Sequence, residues 1–144
     1  MNTPEAIIRR YYDLYNRRLF QDAAALFAPT AVIEHAPYGV KTRHGGSGYV
    51  ESAELSMQAF PDAQIQVLAI EPHGETMFEV DLLATGTHLG MLDMGTYGRF
   101  EPTGATVRLR HREMLDIRDE KIVYASVTFD IKELVAQVKP GTDP

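Results

Sequence analysis

Apolar positions change their period at Pro61. Before it the spacing is helical. Thr3-Pro4 offers an N-cap followed by proline in the first turn, and Ile7, Ile8, Tyr11, Tyr12, Leu14 and Tyr15 then mark one apolar face. A short second helix is predicted over 22–27, stopping before Pro29, and TAVIEHAPYG (30–39) reads as a strand entering a Pro/Gly turn. KTRHGGSG (41–48) reads as a flexible loop or lid in which Ser47 caps a third helix. That helix buries Tyr49, Ala53, Met57 and Phe60 and ends at Pro61.

Beyond Pro61 the period is two. Strands are predicted over 64–70, 76–87, 106–118 and 121–129, with EPHGE (71–75) and RDEK (118–121) as tight connections between antiparallel neighbours. DIKELVAQV (130–138) closes the chain as a helix, and residues 139–144 read as a flexible tail. This order predicts an α+β domain: a cone-shaped, curved antiparallel sheet packed against N-terminal helices and enclosing an apolar cavity. A chain of 144 residues suits a single domain, 1–144, with one sizeable core.

Strand alternation shows which polar side chains share the buried face. In TVRLRHREMLDIR, Val107, Leu109, His111, Glu113, Leu115 and Ile117 lie on one side, and Arg108, Arg110, Arg112 and Arg118 on the other. His111 and Glu113 thus stand mid-strand in apolar phase. A buried carboxylate is costly unless hydrogen-bonded or protonated, and burial raises its pKa, so this pair is a candidate for chemistry as well as for a structural ion pair. In TMFEVDLLATGTHLG the same logic places His88 beyond Phe78, Val80, Leu82 and Ala84, at the strand end, unless Gly86 introduces a bulge. Asp130, with Glu133 three residues later, fits a helix cap and also stands at a strand end where an acid/base group is useful. His35 follows the first strand and is placed at the cavity mouth, and a hydroxyl from the Tyr11–Tyr12–Tyr15 group reaches toward a ligand.

Composition narrows the partners. The charged residues are 14 Lys+Arg against 20 Asp+Glu, a net charge of −6, which disfavours a nucleic-acid binder. With no cysteine there is no thiolate nucleophile and no disulfide, and no His/Asp/Glu group shows metal-ligand spacing along the chain. The N-terminus lacks the apolar segment of a signal peptide and no apolar run is long enough to cross a bilayer, so no membrane association and a cytoplasmic location are expected.

Five phrases, FPDA (60–63), ATGTHLG (84–90), EPTGATV (101–107), DIRDEKIV (116–123) and FDIKELVAQV (129–138), occur in this order. In this the chain resembles the SnoaL-like polyketide cyclases of the nuclear-transport-factor-2-like superfamily, which also contains ketosteroid isomerase, over nearly its whole length. The resemblance implies a homodimeric α+β cone, without metal or cofactor, taking a small apolar or polycyclic ligand. Its implied chemistry is proton abstraction beside a carbonyl followed by intramolecular aldol closure, or a related isomerisation. The resemblance matches Asp130 to an aspartate of the family's closing phrase and puts Glu113 near a polar pocket position. The resulting candidate set is Asp130, Glu113 and His111 for catalysis, with Tyr15, His35, Phe60 and His88 as ligand contacts. The competing expectation is a non-catalytic ligand-binding or dimeric scaffold protein of the same fold. Two departures stand out: many relatives carry a Glu-His-Trp-Asp type phrase where this chain has Tyr124-Ala125-Ser126-Val127, and MLDMGTYGRFEPTG is a longer link than usual.

Overall fold

The structure is a computed structural model that describes residues 2–35 and 41–139, with only the backbone of His35 and Thr96. In chain order the elements are α1 (Pro4–Asn16), α2 (Phe20–Ala24), β1 (Phe27–His35), β2 (Arg43–His44), α3 (Gly45–Ala59), β3 (Gln64–Pro72) and β4 (Met77–Thr87). There follow β5 (Leu92–Asp93), a 3-10 turn (Gly95–Tyr97), β6 (Arg99–Phe100), β7 (Thr106–Arg118), β8 (Lys121–Phe129) and α4 (Ile131–Val138). The predicted α+β architecture is observed: a curved six-stranded sheet, ordered β2-β1-β8-β7-β4-β3, with the N-terminal helices packed on it. The small β5–β6 ribbon stands apart from that sheet.

α1 forms as its pattern dictates. The Thr3 hydroxyl accepts the Ala6 N–H, and all six predicted apolar positions are buried. β7 and β8 meet in a hairpin in which Asp119 and Glu120 both take positive φ, the geometry a two-residue turn needs to match strand twist.

Three expectations are corrected. The sheet is not wholly antiparallel: β1 pairs parallel with β8, because α3 and the intervening strands return the chain to the other edge of the meander before β8 arrives. β1 also begins at Phe27, inside the predicted second helix, since Phe27 pairs with Ile122 across an irregularity that contains Pro29, a residue with no N–H for a ladder. The GGSG segment is neither loop nor lid: α3 starts at Gly45, and Ser47 lies within it. Its glycines allow close docking. A Cβ on Gly46 would lie 2.7 Å from the Ala24 carbonyl oxygen, and one on Gly48 would lie 2.9 Å from the Arg43 Cβ.

Two apolar clusters fill the inner side of the sheet. The larger joins α1, α2 and α3 to Val80, Leu82, Leu115 and Ile122. The smaller lies under α4 and the β5–β6 ribbon and contains Met94, Val107, Leu109, Phe129, Leu134 and Val138. The enclosed apolar cavity expected between sheet and helices is not shown. One concave space of about 330 Å³ is lined by Asp81, Arg110, His111, Arg112, Thr128 and Phe129, mostly residues of the outer face. Of the predicted tail at 139–144, Lys139 ends α4 as its C-cap and residues 140–144 lie outside the described residues.

Candidate active site

Glu113 sits at the centre of the inner face. β7 places it directly across from Val80 on β4 and Val127 on β8, so apolar side chains flank it on both strands. It is 7% exposed. α1 supplies its partner: the Tyr12 hydroxyl donates to Oε1 of Glu113. Burial raises the carboxyl to about 7, and the Tyr12 hydrogen bond holds it from rising further. None of the ion pairs found among the described residues involves Glu113. A neutralising arginine, the bland alternative for this residue, is therefore not what the fold provides.

Around the pair stands an aromatic group. Tyr11 lies 4.7 Å from Tyr12 and 5.4 Å from Tyr49 between ring centroids, and Tyr49 stacks on Phe27 at 5.2 Å with an interplanar angle of 25°. Burial, and after it the charge of Glu113, pushes the Tyr11 and Tyr12 hydroxyls well above the usual phenol range. These tyrosines are consequently hydrogen-bond donors, not bases. A carboxyl that titrates near neutrality, held by a donor and walled by rings, is suited to moving a proton on an apolar substrate.

His111 is the next inward residue on β7. It faces Leu82 across one strand junction and Phe129 across the other, and its ring stacks on Phe129 at 4.7 Å. The fold thus brings Glu113 and His111 to adjacent positions on one face.

The other predicted site residues are placed differently. Asp130 is exposed, and its Oδ1 accepts the Lys132 and Glu133 N–H groups, so its side chain caps α4. Tyr15 is buried in the larger cluster. Phe60 packs against the smaller cluster with its ring 5.6 Å from that of His88. The side chain of His35 lies outside the described residues, and its backbone pairs with Val127.

His88 is fully buried and lies just beyond β4. Its Nδ1 accepts the Thr103 N–H at 3.3 Å and lies 3.1 Å from the Thr103 hydroxyl. Its backbone exchanges hydrogen bonds with Ala105 and Gly104. The TGTH and PTG phrases are therefore one hydrogen-bonded unit. Because His88 meets the chain at Ala105, about 25 Å of extended strand separates its level from Glu113 at roughly 3.3 Å per residue. The two do not form one reacting centre.

Sequence reasoning passed over Tyr12 and Tyr49 as specific site groups, treating the tyrosines as core with one hydroxyl free to reach a ligand. The signal was a helix face carrying three hydroxyls where phenylalanine would have packed as well. Folding also assembles a group that chain spacing concealed. Glu71, His73 and Glu79 meet at the β3–β4 hairpin with ligating atoms within 4.8 Å of one another. Arg112 lies 3.7 Å from Glu79 and supplies positive charge there; Glu79 pairs with Met114, one position from Glu113 along β7, and so points to the opposite face of the sheet.

Comparisons with known proteins follow the same lines. The profile of the SnoaL-like polyketide cyclase family matches residues 5–138. No curated protein matches the chain in sequence. Among solved structures, a protein of Jannaschia sp. CCS1 assigned as a SnoaL-like polyketide cyclase superposes with a TM-score of 0.82 at 13% identity, covering 99% of each chain. IdmH of Streptomyces antibioticus, assigned as a polyketide cyclase, gives 0.79 at 23% identity over 96% of this chain and 100% of its own. An NTF2-like protein of Burkholderia pseudomallei whose function is not known gives 0.76 at 17% identity over 97% and 100%.

Proposed function

Since the chain belongs to the SnoaL-like polyketide cyclase family, we propose that it carries out cofactor-free acid/base chemistry on a small apolar carbonyl compound, with Glu113 as the base. The observation that carries this reading is the buried Glu113 carboxyl, lifted to about 7 by its surroundings and held by Tyr12. Half-ionised near neutral pH, it takes a proton from carbon beside a carbonyl and returns it after an enolate has closed a ring or isomerised. His111, stacked on Phe129 and two positions from Glu113 on the same face of β7, orients the substrate or meets its oxygen. Asp130 is left to its cap.

Val127, the last of the four departing residues, is the direct cross-strand partner of Glu113, so the chain's departure from the family phrase lies beside the proposed base. The form of the scaffold alternative in which an arginine neutralises Glu113 lacks support, since none of the ion pairs among the described residues involves it. The dimer belongs to the same proposal: on the outer face Arg112 lies 3.7 Å from both Glu79 and Asp81, with Arg108, Arg110 and the exposed Leu68 beside them, a surface of both signs able to meet a copy of itself. A cytoplasmic setting is part of the same reading. Among the described residues no helix is long and apolar enough to cross a membrane.

The test needs no natural substrate. 2-Tetralone is flat, apolar and enolisable, and its α-protons exchange in D2O. The protein should accelerate that exchange, with a rate rising through about pH 7 as Glu113 ionises. Glu113→Gln should lower the rate by about 100-fold or more, the usual contribution of a general base. Equal exchange by both proteins would refute the assignment.

A further inference from the structure

Two buried side-chain polar atoms lack a hydrogen-bond partner among the described residues: His88 Nε2 and the Tyr49 hydroxyl. The first stands far from Glu113 along the sheet. The second does not. Tyr49 projects from α3 into the aromatic group that surrounds the Tyr12–Glu113 pair, and it is 5% exposed.

The Tyr49 ring has ample reason to be where it is. It stacks on Phe27, lies 5.4 Å from Tyr11 and meets Phe20 edge-on at 6.5 Å. Phenylalanine would keep each of these contacts. The hydroxyl adds nothing to the packing and carries an unmet desolvation cost, a state that native interiors rarely retain without a use. Burial, then the neighbouring Tyr15 and Glu113, pushes its pKa upward, so the group stays protonated and can only offer its proton to an acceptor.

From this geometry we infer that Tyr49 is a binding residue whose O–H donates to an oxygen of the bound compound beside Glu113. The acceptor is a carbonyl, enolate or phenol-type oxygen on a flat apolar skeleton. Its role would be to hold the oxygen on which negative charge gathers when Glu113 removes the neighbouring proton. The inference rests on the reading of Glu113 as the base, but it is tested by binding rather than by turnover.

The experiment compares 2-naphthol with naphthalene, which have the same skeleton with and without the oxygen. Both are titrated into the full chain and into Tyr49→Phe at pH 6, where Glu113 is mostly protonated. The native protein should prefer 2-naphthol by about tenfold. Tyr49→Phe should erase that preference, leave naphthalene affinity unchanged and keep or raise the Tm, because no bond within the protein is lost. Three results would overturn the inference: no preference in the native protein, a preference retained in Tyr49→Phe, or a lowered Tm, which would reveal a partner within the fold. If Glu113→Gln leaves 2-tetralone exchange intact while Tyr49→Phe abolishes the preference, the base assignment fails and the donor stands. The opposite pair of results removes the donor alone.

Discussion

Glu113→Gln should make the protein more stable at high pH, and the size of the effect follows from the structure. Glu113 moves from an ordinary value near 4.5 to about 7 in the fold, because burial disfavours its charged form. The sign is that of a group whose folded pKa is raised. Below about pH 4.5 both states hold the proton and the carboxyl costs the fold nothing on this account. Between the two values the unfolded chain releases the proton while the folded chain keeps it, so stability falls as pH rises. Above about pH 7 the folded chain must bury a carboxylate, and the loss is complete. A gap of about 2.5 pH units at 1.36 kcal/mol each amounts to about 3 kcal/mol. Glutamine is neutral throughout and removes this slope. Any difference between amide and acid in how they fit the site is an offset that does not change with pH. Urea or thermal unfolding of both proteins from pH 4.5 to 8.5 should therefore show their difference moving in favour of the variant by about 3 kcal/mol, roughly 6–12 °C in Tm for a domain of this size. A difference that stays flat across this range would show that Glu113 is not held near neutrality and would remove the physical basis of the proposed base.

The two remaining predictions separate neighbouring roles. Asp130→Ala should cost about 1 kcal/mol by removing the α4 cap, and Asp130→Asn should restore most of it, with 2-tetralone exchange unchanged in both. Lost exchange in a well-folded Asp130→Asn protein would return the base to Asp130. Gly90→Ala should destabilise the fold by on the order of 3 kcal/mol, since its Cβ would fall 1.7 Å from the Gln58 carbonyl oxygen and the strand end would have to part from α3. A Tm within 1 °C of the native value would contradict that close approach.

Legibility in the sequence followed the range of the interaction. The α1 face and its Thr3 cap, the β7–β8 hairpin and the Asp130 cap are set by residues within a few positions of one another, and all were readable. The parallel β1–β8 pair joins segments about 90 positions apart and has no local signal. The start of α3 was misread because glycines suggest a loop when counted as propensity. Here their lack of a side chain is what lets α3 approach Ala24 and Arg43.

Glu113 shows how far such reading reaches. Its position in apolar phase is a local contradiction, a carboxyl where the strand buries its face, and that contradiction was visible without coordinates. What resolves it is Tyr12, 101 residues earlier in the chain, and no spacing rule connects the two. The same holds for His88, whose anchor at Thr103 lies across a loop. Alternation can therefore show that a polar group is out of place. Whether it is an ion pair, a structural hydrogen bond or a base depends on which distant element folds over it. Here a tyrosine helix does so, supplying a donor without a positive charge, and that choice leaves the carboxyl buried and able to titrate near neutrality, as the proposed base requires.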